Sequence, residues 1–111
     1  MHELLVELRA IDLLAGMDDK MLEQIAALVT IHQLDQGEIL VSEGEAAADL
    51  YFLRSGSLVA TVKDGGSTTE VGRLRPGDVI GESRLIAGGR RTATVSALAG
   101  SELLQLSAVN L

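Results

Sequence analysis

The stretch "GESRLIAGGRRTATV", residues 81–95, differs in character from the rest of this 111-residue chain. It holds three of the nine basic side chains of a protein whose net charge is −7: Arg84, Arg90 and Arg91. Glycines precede these arginines, Gly81 before Arg84 and Gly88–Gly89 before the other two. Positive charge gathered in one segment of an acidic chain indicates a place where an anion can be bound.

The composition is that of one soluble globular domain. Hydrophobic residues make up 47% of the chain and charged residues 23%, and 111 residues can enclose one core. The absence of cysteine excludes disulfides, thiolate metal sites and cysteine nucleophiles. An isoelectric point near 4.6 disfavours a nucleic-acid partner and an anionic membrane surface. We therefore expect a cytoplasmic protein, or the cytosolic portion of a membrane protein.

The first third of the chain has helical periodicity. In "HELLVELRAIDLL", from residue 2 to residue 14, apolar residues recur at spacings of three and four, and Gly16 ends the pattern. A second helix is predicted to begin after Asp18, which is a suitable N-cap, with Met17 packed onto Leu22. Its buried stripe is expected to comprise Leu22, Ile25, Ala26 and Val29. Residues 1–31 are thus predicted to form N-terminal helices.

After His32 the pattern changes to short apolar or alternating segments typical of strands. They are "EILV", "LYFLR", "SLVATVK", "TTEVGRL", "DVIG", "TATVSAL" and "ELLQL". Turn residues separate them: "KDGG" predicts a hairpin, and "RPGD" predicts a type II turn. Short strands at this spacing are typical of a sandwich or barrel. We therefore predict a β-roll over residues 32–106, within a single domain of residues 1–111.

The strand pattern is interrupted once, between Gly81 and Arg90. The segment "ESRLIAGG" predicts one or two turns of helix, whose first N–H groups and positive dipole end could bind an anion. The arginines at the start of the next strand could grip the same anion with a planar fork. Glu82 is an acceptor, which suits a sugar hydroxyl, so the pattern favours a phosphorylated sugar. The competing interpretation is that the arginines form surface salt bridges and the glycines form ordinary turns.

The same stretch resembles the phosphate-binding cassette of cyclic nucleotide-binding domains. That cassette has Gly-Glu, an apolar and a small residue, several more residues, and then Arg, a small residue and Ala. The resemblance extends from Leu8 to Leu106, through "LRAIDLLAGMDDKMLEQIAALV", "LDQGEILVSEGEAAADLYFLRSGSLVATV" and "LRPGDVIGE". It implies a mainly β fold with flanking α: an antiparallel, jelly-roll-like β-roll of about eight strands, with N-terminal helices and a short cassette helix.

The resemblance also implies roles for individual residues. Arg91 would pair with the exocyclic phosphate, and Glu82 would accept from the ribose 2′-hydroxyl beside the backbone of Gly81. A hydroxyl residue at Thr92 can bond guanine, yet bacterial activators with such a residue respond to cAMP, so either ligand is allowed and cAMP is slightly favoured. The implied nucleotide-binding residues are Gly81, Glu82, Ser83, Arg84, Arg91 and Thr92.

Three positions depart from the family pattern or extend past it. Arg84 stands where the family usually has alanine or glycine, and it could point outward, add a second positive group or block the pocket. Arg90 replaces a frequent proline and is expected to be solvated. The terminal "LSAVNL" looks like the start of a truncated C-terminal helix over residues 107–111, N-capped by Ser107. In the family, helices there carry the signal and cover the base.

The predicted function is that of a regulatory sensor without chemistry of its own, with cAMP or cGMP as ligand. Binding would pull residues 81–88 inward and repack the chain beyond Leu106, passing the change to a tethered or associated effector. No nucleic acid is expected as a direct partner, and a homodimer is left open. The alternative is a degenerate fold that has lost the nucleotide and serves as a protein–protein interaction or oligomerisation domain, which Arg84 favours.

The remaining polar residues predict no catalytic or metal site. His2 and His32 are far apart in sequence and lack carboxylates at ligand spacing, so no metal is expected. The acidic residues Glu43, Glu45 and Asp49 are expected to lie in a solvated turn.

Overall fold

The computed structural model describes residues 16–46, 49–81, 86–87 and 89–107. Its one described helix, α1, spans Asp19–Ala26. The strands are β1 Thr30–Leu34, β2 Ile39–Val41, β3 Asp49–Ser55, β4 Leu58–Asp64, β5 Ser67–Leu74, β6 Val79–Ile80, β7 Ile86–Ala87, β8 Arg90–Arg91, β9 Thr94–Ala97 and β10 Ser101–Ser107.

All the strands pair antiparallel, and they form two four-stranded sheets and a small ribbon. The first sheet has the order β1-β10-β3-β6, and the second has the order β2-β9-β4-β5. Strands β7 and β8 form the ribbon, and Arg90 of β8 also makes an isolated antiparallel bridge with Ala46. This mainly β architecture with antiparallel sheets confirms the predicted β-roll, and its strand count is close to the eight expected.

Helix α1 begins as the sequence predicted. The Asp18 carboxylate accepts a hydrogen bond from the Met21 N–H at 2.9 Å, and Asp19 adds negative charge to the first turn. Leu22 and Ala26 are buried, which confirms the centre of the predicted stripe. The helix predicted before Gly16 lies outside the described residues.

Two hydrophobic clusters hold the two sheets and the helix together, and β3 contributes to both. Alternation along β3 places Tyr51 and Leu53 in the inner cluster, between the two sheets. Leu50 and Phe52 face the opposite way and pack in the outer cluster, which includes Leu22 of α1. A strand covered on both faces explains why "LYFL" reads as a continuous apolar run. Burying each such side chain contributes about 1.5–3 kcal/mol.

Both predicted turns are present. Gly65 and Gly66, at φ +58° and +91°, join β4 to β5 as the hairpin turn expected from "KDGG". Gly77 has φ +99°, and the Asp78 N–H donates to the Arg75 carbonyl at 2.9 Å, as a type II turn requires.

The structure corrects the sequence predictions at three boundaries. Strand β1 begins at Thr30, before the predicted start of the roll, because pairing with β10 continues to that residue. Strand β10 includes Ser107, so Ser107 continues the ladder with Asp49. Ile86–Ala87 form a strand paired with β8, so the predicted helix is wrong at these two residues. The rest of that helix, and residues 108–111, lie outside the described part.

Within the described segments, no helix is both long and apolar enough to cross a bilayer.

Candidate functional site

Arg91 is a buried arginine at the end of β8. Only 4% of its surface is exposed. Its Nη2 donates to the main-chain carbonyl of Asp49 at 2.6 Å. Its Nε and Nη1 are also buried, and neither has a hydrogen-bond partner among the described residues. The guanidinium is therefore anchored through Nη2 and has unused donors at Nε and Nη1.

Such an arrangement favours an anion. Guanidinium remains protonated in proteins and has five N–H donors in a fixed plane. Burying it without acceptors is costly, and a charged acceptor offsets that cost best. Nε and Nη1 each lie beside Nη2, whose second N–H completes a pair that matches two oxygens of a phosphate or carboxylate. The geometry of Arg91 therefore suits an anionic oxygen pair.

The main chain of Arg91 is fixed independently of its side chain. The Gly44 N–H donates to the Arg91 carbonyl at 2.8 Å, and the Arg91 N–H donates to the Glu45 carbonyl at 2.9 Å. The neighbouring Arg90 is exposed, and its Nη1 donates to the Gly44 carbonyl at 2.8 Å. Successive strand residues point to opposite faces. Arg91 therefore enters the interior, while Arg90 lies outside and contacts the 42–46 loop.

Gly81 follows β6 and lies against the same guanidinium. Its φ is +114°, a conformation that glycine adopts without strain. A Cβ at this position would lie 2.8 Å from the carbonyl oxygen of Asp49 and 3.3 Å from Nη1 of Arg91. The structure therefore brings together three segments distant in sequence: the end of β6, the start of β3 and β8.

The carboxylate and the main-chain carbonyl of Asp49 accept hydrogen bonds from different partners. Its Oδ2 accepts from Nε2 of Gln105 at 2.6 Å and from the Tyr51 hydroxyl at 3.4 Å. Burial raises the pKa of Tyr51, and the charge of Asp49 and the hydrogen bond to it raise that pKa further, whereas Arg91 lowers it. The Tyr51 ring also meets His32 edge to face, with ring centroids 6.0 Å apart.

The expectation of a solvated acidic turn holds in part. Glu43 and Glu45 are exposed, although Oε1 of Glu43 accepts from the Lys63 N–H and Oε1 of Glu45 accepts from the Ser42 N–H. For Asp49 the expectation is wrong, because its carboxylate is half-buried and bonded to two neighbouring side chains.

Of the residues that the sequence singled out, Gly81 and Arg91 lie together, and Thr92 follows with an exposed side chain. Glu82, Ser83 and Arg84 lie outside the described residues. Sequence reasoning missed Asp49, Tyr51 and Gln105 as neighbours of the site. The available signal was weak: a glutamine that interrupts the apolar strand "ELLQL".

The comparison with protein families bears directly on this site. The family model described as "Cyclic nucleotide-binding domain" matches residues 31–111, which include both Arg91 and Gly81. The chain belongs to this family.

Relatives of this cyclic nucleotide-binding domain are much longer proteins. An uncharacterised NTE family protein of Mycobacterium tuberculosis is 34% identical over 101 residues, which cover 91% of this chain and 17% of that protein. A cGMP-dependent protein kinase of Drosophila melanogaster is 30% identical over 103 residues, covering 89% of this chain and 13% of the kinase. The domain therefore spans less than a fifth of the curated relatives it matches.

Solved structures agree with the fold. The regulatory domain of Toxoplasma gondii PKA with cAMP superposes with a TM-score of 0.89 at 27% identity, covering 98% of this chain and 42% of that one. The N-terminal domain of a transcriptional regulator from Streptomyces coelicolor superposes with a TM-score of 0.81 at 30% identity, covering 95% of this chain and 74% of that one. The chain is thus a regulatory domain of the cyclic nucleotide-binding type.

Proposed function

We propose that this domain binds a cyclic mononucleotide, with cAMP slightly favoured over cGMP, and regulates an effector. The observation that carries the proposal is the guanidinium of Arg91, which is buried and has two nitrogens without acceptors in the described segments. A cyclic phosphate presents two exocyclic oxygens and one negative charge. It would supply the acceptors and the counter-charge together.

The rest of the cassette completes the proposed site. Glu82 would accept from the ribose 2′-hydroxyl, and the amides of Ser83 and Arg84 would lie near the phosphate. These roles rest on the family pattern in the sequence. The backbone of Gly81 supports them, because it lies beside Arg91, where a phosphate held by the arginine would meet it.

Base selectivity is proposed to depend on Thr92. Its side chain is exposed and directly follows the buried arginine, so its hydroxyl could reach a base whose phosphate is bound at Arg91. The related structures include a PKA regulatory domain with cAMP, and the related sequences include a cGMP-dependent kinase. We place cAMP first because bacterial activators of this family that carry a hydroxyl residue at the position of Thr92 respond to cAMP.

The effector is proposed from the relatives. They include protein kinases and ion channels, and in each this domain would be a small part of a longer chain. We propose that this domain likewise acts on a tethered or associated effector in the cytosol, by binding rather than catalysis and without a metal. Ligand binding can shift such an effector only by its differential affinity for two states of the domain.

Calorimetric titration with cAMP and cGMP tests the proposal. Wild-type protein should bind at least one of them, and Arg91→Ala should weaken binding by about 2–5 kcal/mol, because a buried phosphate loses its charge partner. That is a loss of about 30-fold to several thousand-fold in affinity. Arg90→Ala is the matched control: the same residue type one position earlier, exposed, and expected to change affinity little.

Two results would contradict the proposal. Equal losses at Arg90 and Arg91 would remove the assigned role of Arg91. No heat and no thermal shift with either nucleotide at millimolar concentration would leave the alternative, a degenerate domain used for protein–protein interaction or oligomerisation.

A further inference from the structure

Gln105 is the polar neighbour of the site for which neither the sequence pattern nor the proposed binding mode gives a role. It lies on β10, in register with Tyr51 on β3, and is half-buried. Its Nε2 donates to Oδ2 of Asp49 at 2.6 Å. The Tyr51 hydroxyl reaches the same oxygen at 3.4 Å. Both bonds hold the Asp49 carboxylate beside Tyr51 and Gln105, which face each other across β3 and β10.

Asp49 therefore presents two acceptors in two directions. Its carbonyl accepts from Nη2 of Arg91 at 2.6 Å, while its carboxylate accepts from Gln105 and Tyr51. The carboxylate belongs to the residue whose carbonyl bonds the guanidinium, and Arg91 is close enough to lower the pKa of Tyr51, which bonds that carboxylate. A rotation about the Asp49 side-chain bonds is the motion that would bring the carboxylate to Arg91. Such rotations are fast, on the ps–ns scale, unless other bonds prevent them.

A released carboxylate would be a strong competitor for the site. Arginine and aspartate form the strong, charge-assisted pairs that arginine and phosphate also form. Nε and Nη1 of Arg91 lack partners in the described portion of the chain, so they could donate to an internal carboxylate as readily as to an external anion. The contacts that keep the Asp49 carboxylate away from Arg91 therefore decide whether this arginine is available to an external anion.

We propose that Gln105 is a positioning residue that keeps the Asp49 carboxylate away from Arg91, so that the guanidinium remains available to the phosphate of a ligand. The identity of that ligand rests on the function proposed above. The contact itself lies within the chain and does not depend on the ligand.

Gln105 is the principal holder of the carboxylate, with Tyr51 as an auxiliary. A hydroxyl donor 3.4 Å from its acceptor is beyond the usual 2.5–3.0 Å range, whereas 2.6 Å for an amide donor is short. Removing Gln105 therefore leaves only the weaker bond. An apolar residue at this position cannot donate to the carboxylate at all.

The first test is a double-mutant cycle of Gln105 and Asp49, in which the affinity for cAMP is measured. Gln105→Leu should lower affinity by about 5- to 50-fold, within the roughly 2- to 150-fold range of coupling between contacting side chains. In an Asp49→Asn background the same change should have no further effect, because a neutral amide does not neutralise Arg91. If Gln105→Leu costs the same in both backgrounds, its role is merely structural and the proposal is overturned.

Gln33→Leu is the matched control. Gln33 lies on the adjacent strand β1, is exposed, and its Nε2 also meets a carboxylate, that of Glu102 at 3.5 Å. Its replacement should leave cAMP affinity unchanged. Thermal unfolding of each variant establishes that the compared proteins are folded.

The second test needs no nucleotide. In arginine side-chain NMR spectra of ligand-free protein, Gln105→Leu should shift the Nε–H signal of Arg91 and slow its exchange, because an Asp49 salt bridge forms. The Gln105→Leu, Asp49→Asn double variant should not show this change. An unaltered Arg91 signal in Gln105→Leu overturns the positioning role. If the signal changes but wild-type protein binds neither cAMP nor cGMP, the proposed function fails while the positioning role stands.

Discussion

The backbone of Gly81 lies directly against the guanidinium of Arg91: a Cβ on Gly81 would be 3.3 Å from Nη1 and 2.8 Å from the carbonyl oxygen of Asp49 to which that guanidinium is bonded. The glycine thus lets two strands approach an arginine closely. Any larger residue would have to displace the carbonyl that anchors the arginine.

We expect Gly81→Ala to impair both stability and cAMP affinity. The positive φ alone costs an alanine about 1–2 kcal/mol, and the 2.8 Å approach to a backbone atom adds to that cost. Gly77→Ala is the control, since Gly77 has a similar φ of +99° but no atom within 4 Å of the added Cβ. Urea unfolding should show a larger loss for Gly81, and only Gly81→Ala should weaken cAMP binding. Equal losses at the two glycines would contradict the close approach.

Arg91→Met should abolish nucleotide binding yet stabilise the ligand-free domain. A buried charge that is incompletely paired costs free energy, and an apolar replacement of similar volume is often stabilising by about 1–4 kcal/mol. The lost bond to the Asp49 carbonyl reduces that gain, so we expect about 1–2 kcal/mol in urea unfolding. Arg90→Met, at an exposed position, should change stability by less than about 0.5 kcal/mol. A less stable Arg91→Met would show that the guanidinium is well compensated within the chain.

Thr92→Ala should change the ratio of cGMP to cAMP affinity. Losing one hydrogen bond to guanine costs about 0.5–1.5 kcal/mol, a decrease of roughly 2- to 10-fold for cGMP, while cAMP affinity should hold. Thr94→Ala serves as the comparison, because the Thr94 hydroxyl already accepts from the Glu43 N–H at 3.0 Å. Both ratios are measured by calorimetry. The same ratio in wild-type protein and Thr92→Ala would remove this hydroxyl from base recognition.

Tyr51 should make stability decrease in alkaline solution. Its pKa is raised above 10.0 in the folded protein, chiefly by burial and then by Asp49. The stabilisation is therefore complete below pH 10.0, the unfolded value, and is lost as pH rises through the higher folded pKa. Tyr51 is the only tyrosine and the chain has no tryptophan, so tyrosinate absorbance reports this group directly.

Two variants check that assignment. Tyr51→Phe should remove this part of the alkaline loss of stability, as measured by urea unfolding across the pH range. Asp49→Asn should bring the pKa of Tyr51 closer to 10.0 without reaching it, because the burial remains. A tyrosinate transition at the unfolded value in wild-type protein would contradict both the burial of Tyr51 and its contact with Asp49.

The features that the sequence predicted correctly depend on residues close together in the chain. The cap of α1 joins Asp18 to Met21, and the hairpin at Gly65 and Gly66 depends on local φ values. Ile86–Ala87 show the converse: they suit a helix in isolation, but pairing with β8 makes them a strand. Local preference is a weak constraint when a partner strand supplies hydrogen bonds.

The site was predictable only where a single segment contains it. Arg91 stands out within its own stretch, and Gly81 belongs to the same pattern. Gln105 and Asp49 are separated by 56 residues, and only the pairing of β10 with β3 brings them together. No pattern in the sequence around either residue predicts the contact. Their role could be inferred only after the strand register was known.

The anchoring of Arg91 by its main chain has an evolutionary consequence. The bonds to Gly44 and Glu45 use only its N–H and carbonyl, which every residue except proline provides. A substitution of the side chain can therefore remove the proposed anion partner while the scaffold persists. Family members that bind a ligand and members that do not could therefore differ by a single substitution at this position. Such a substitution would remove binding without preventing the domain from folding.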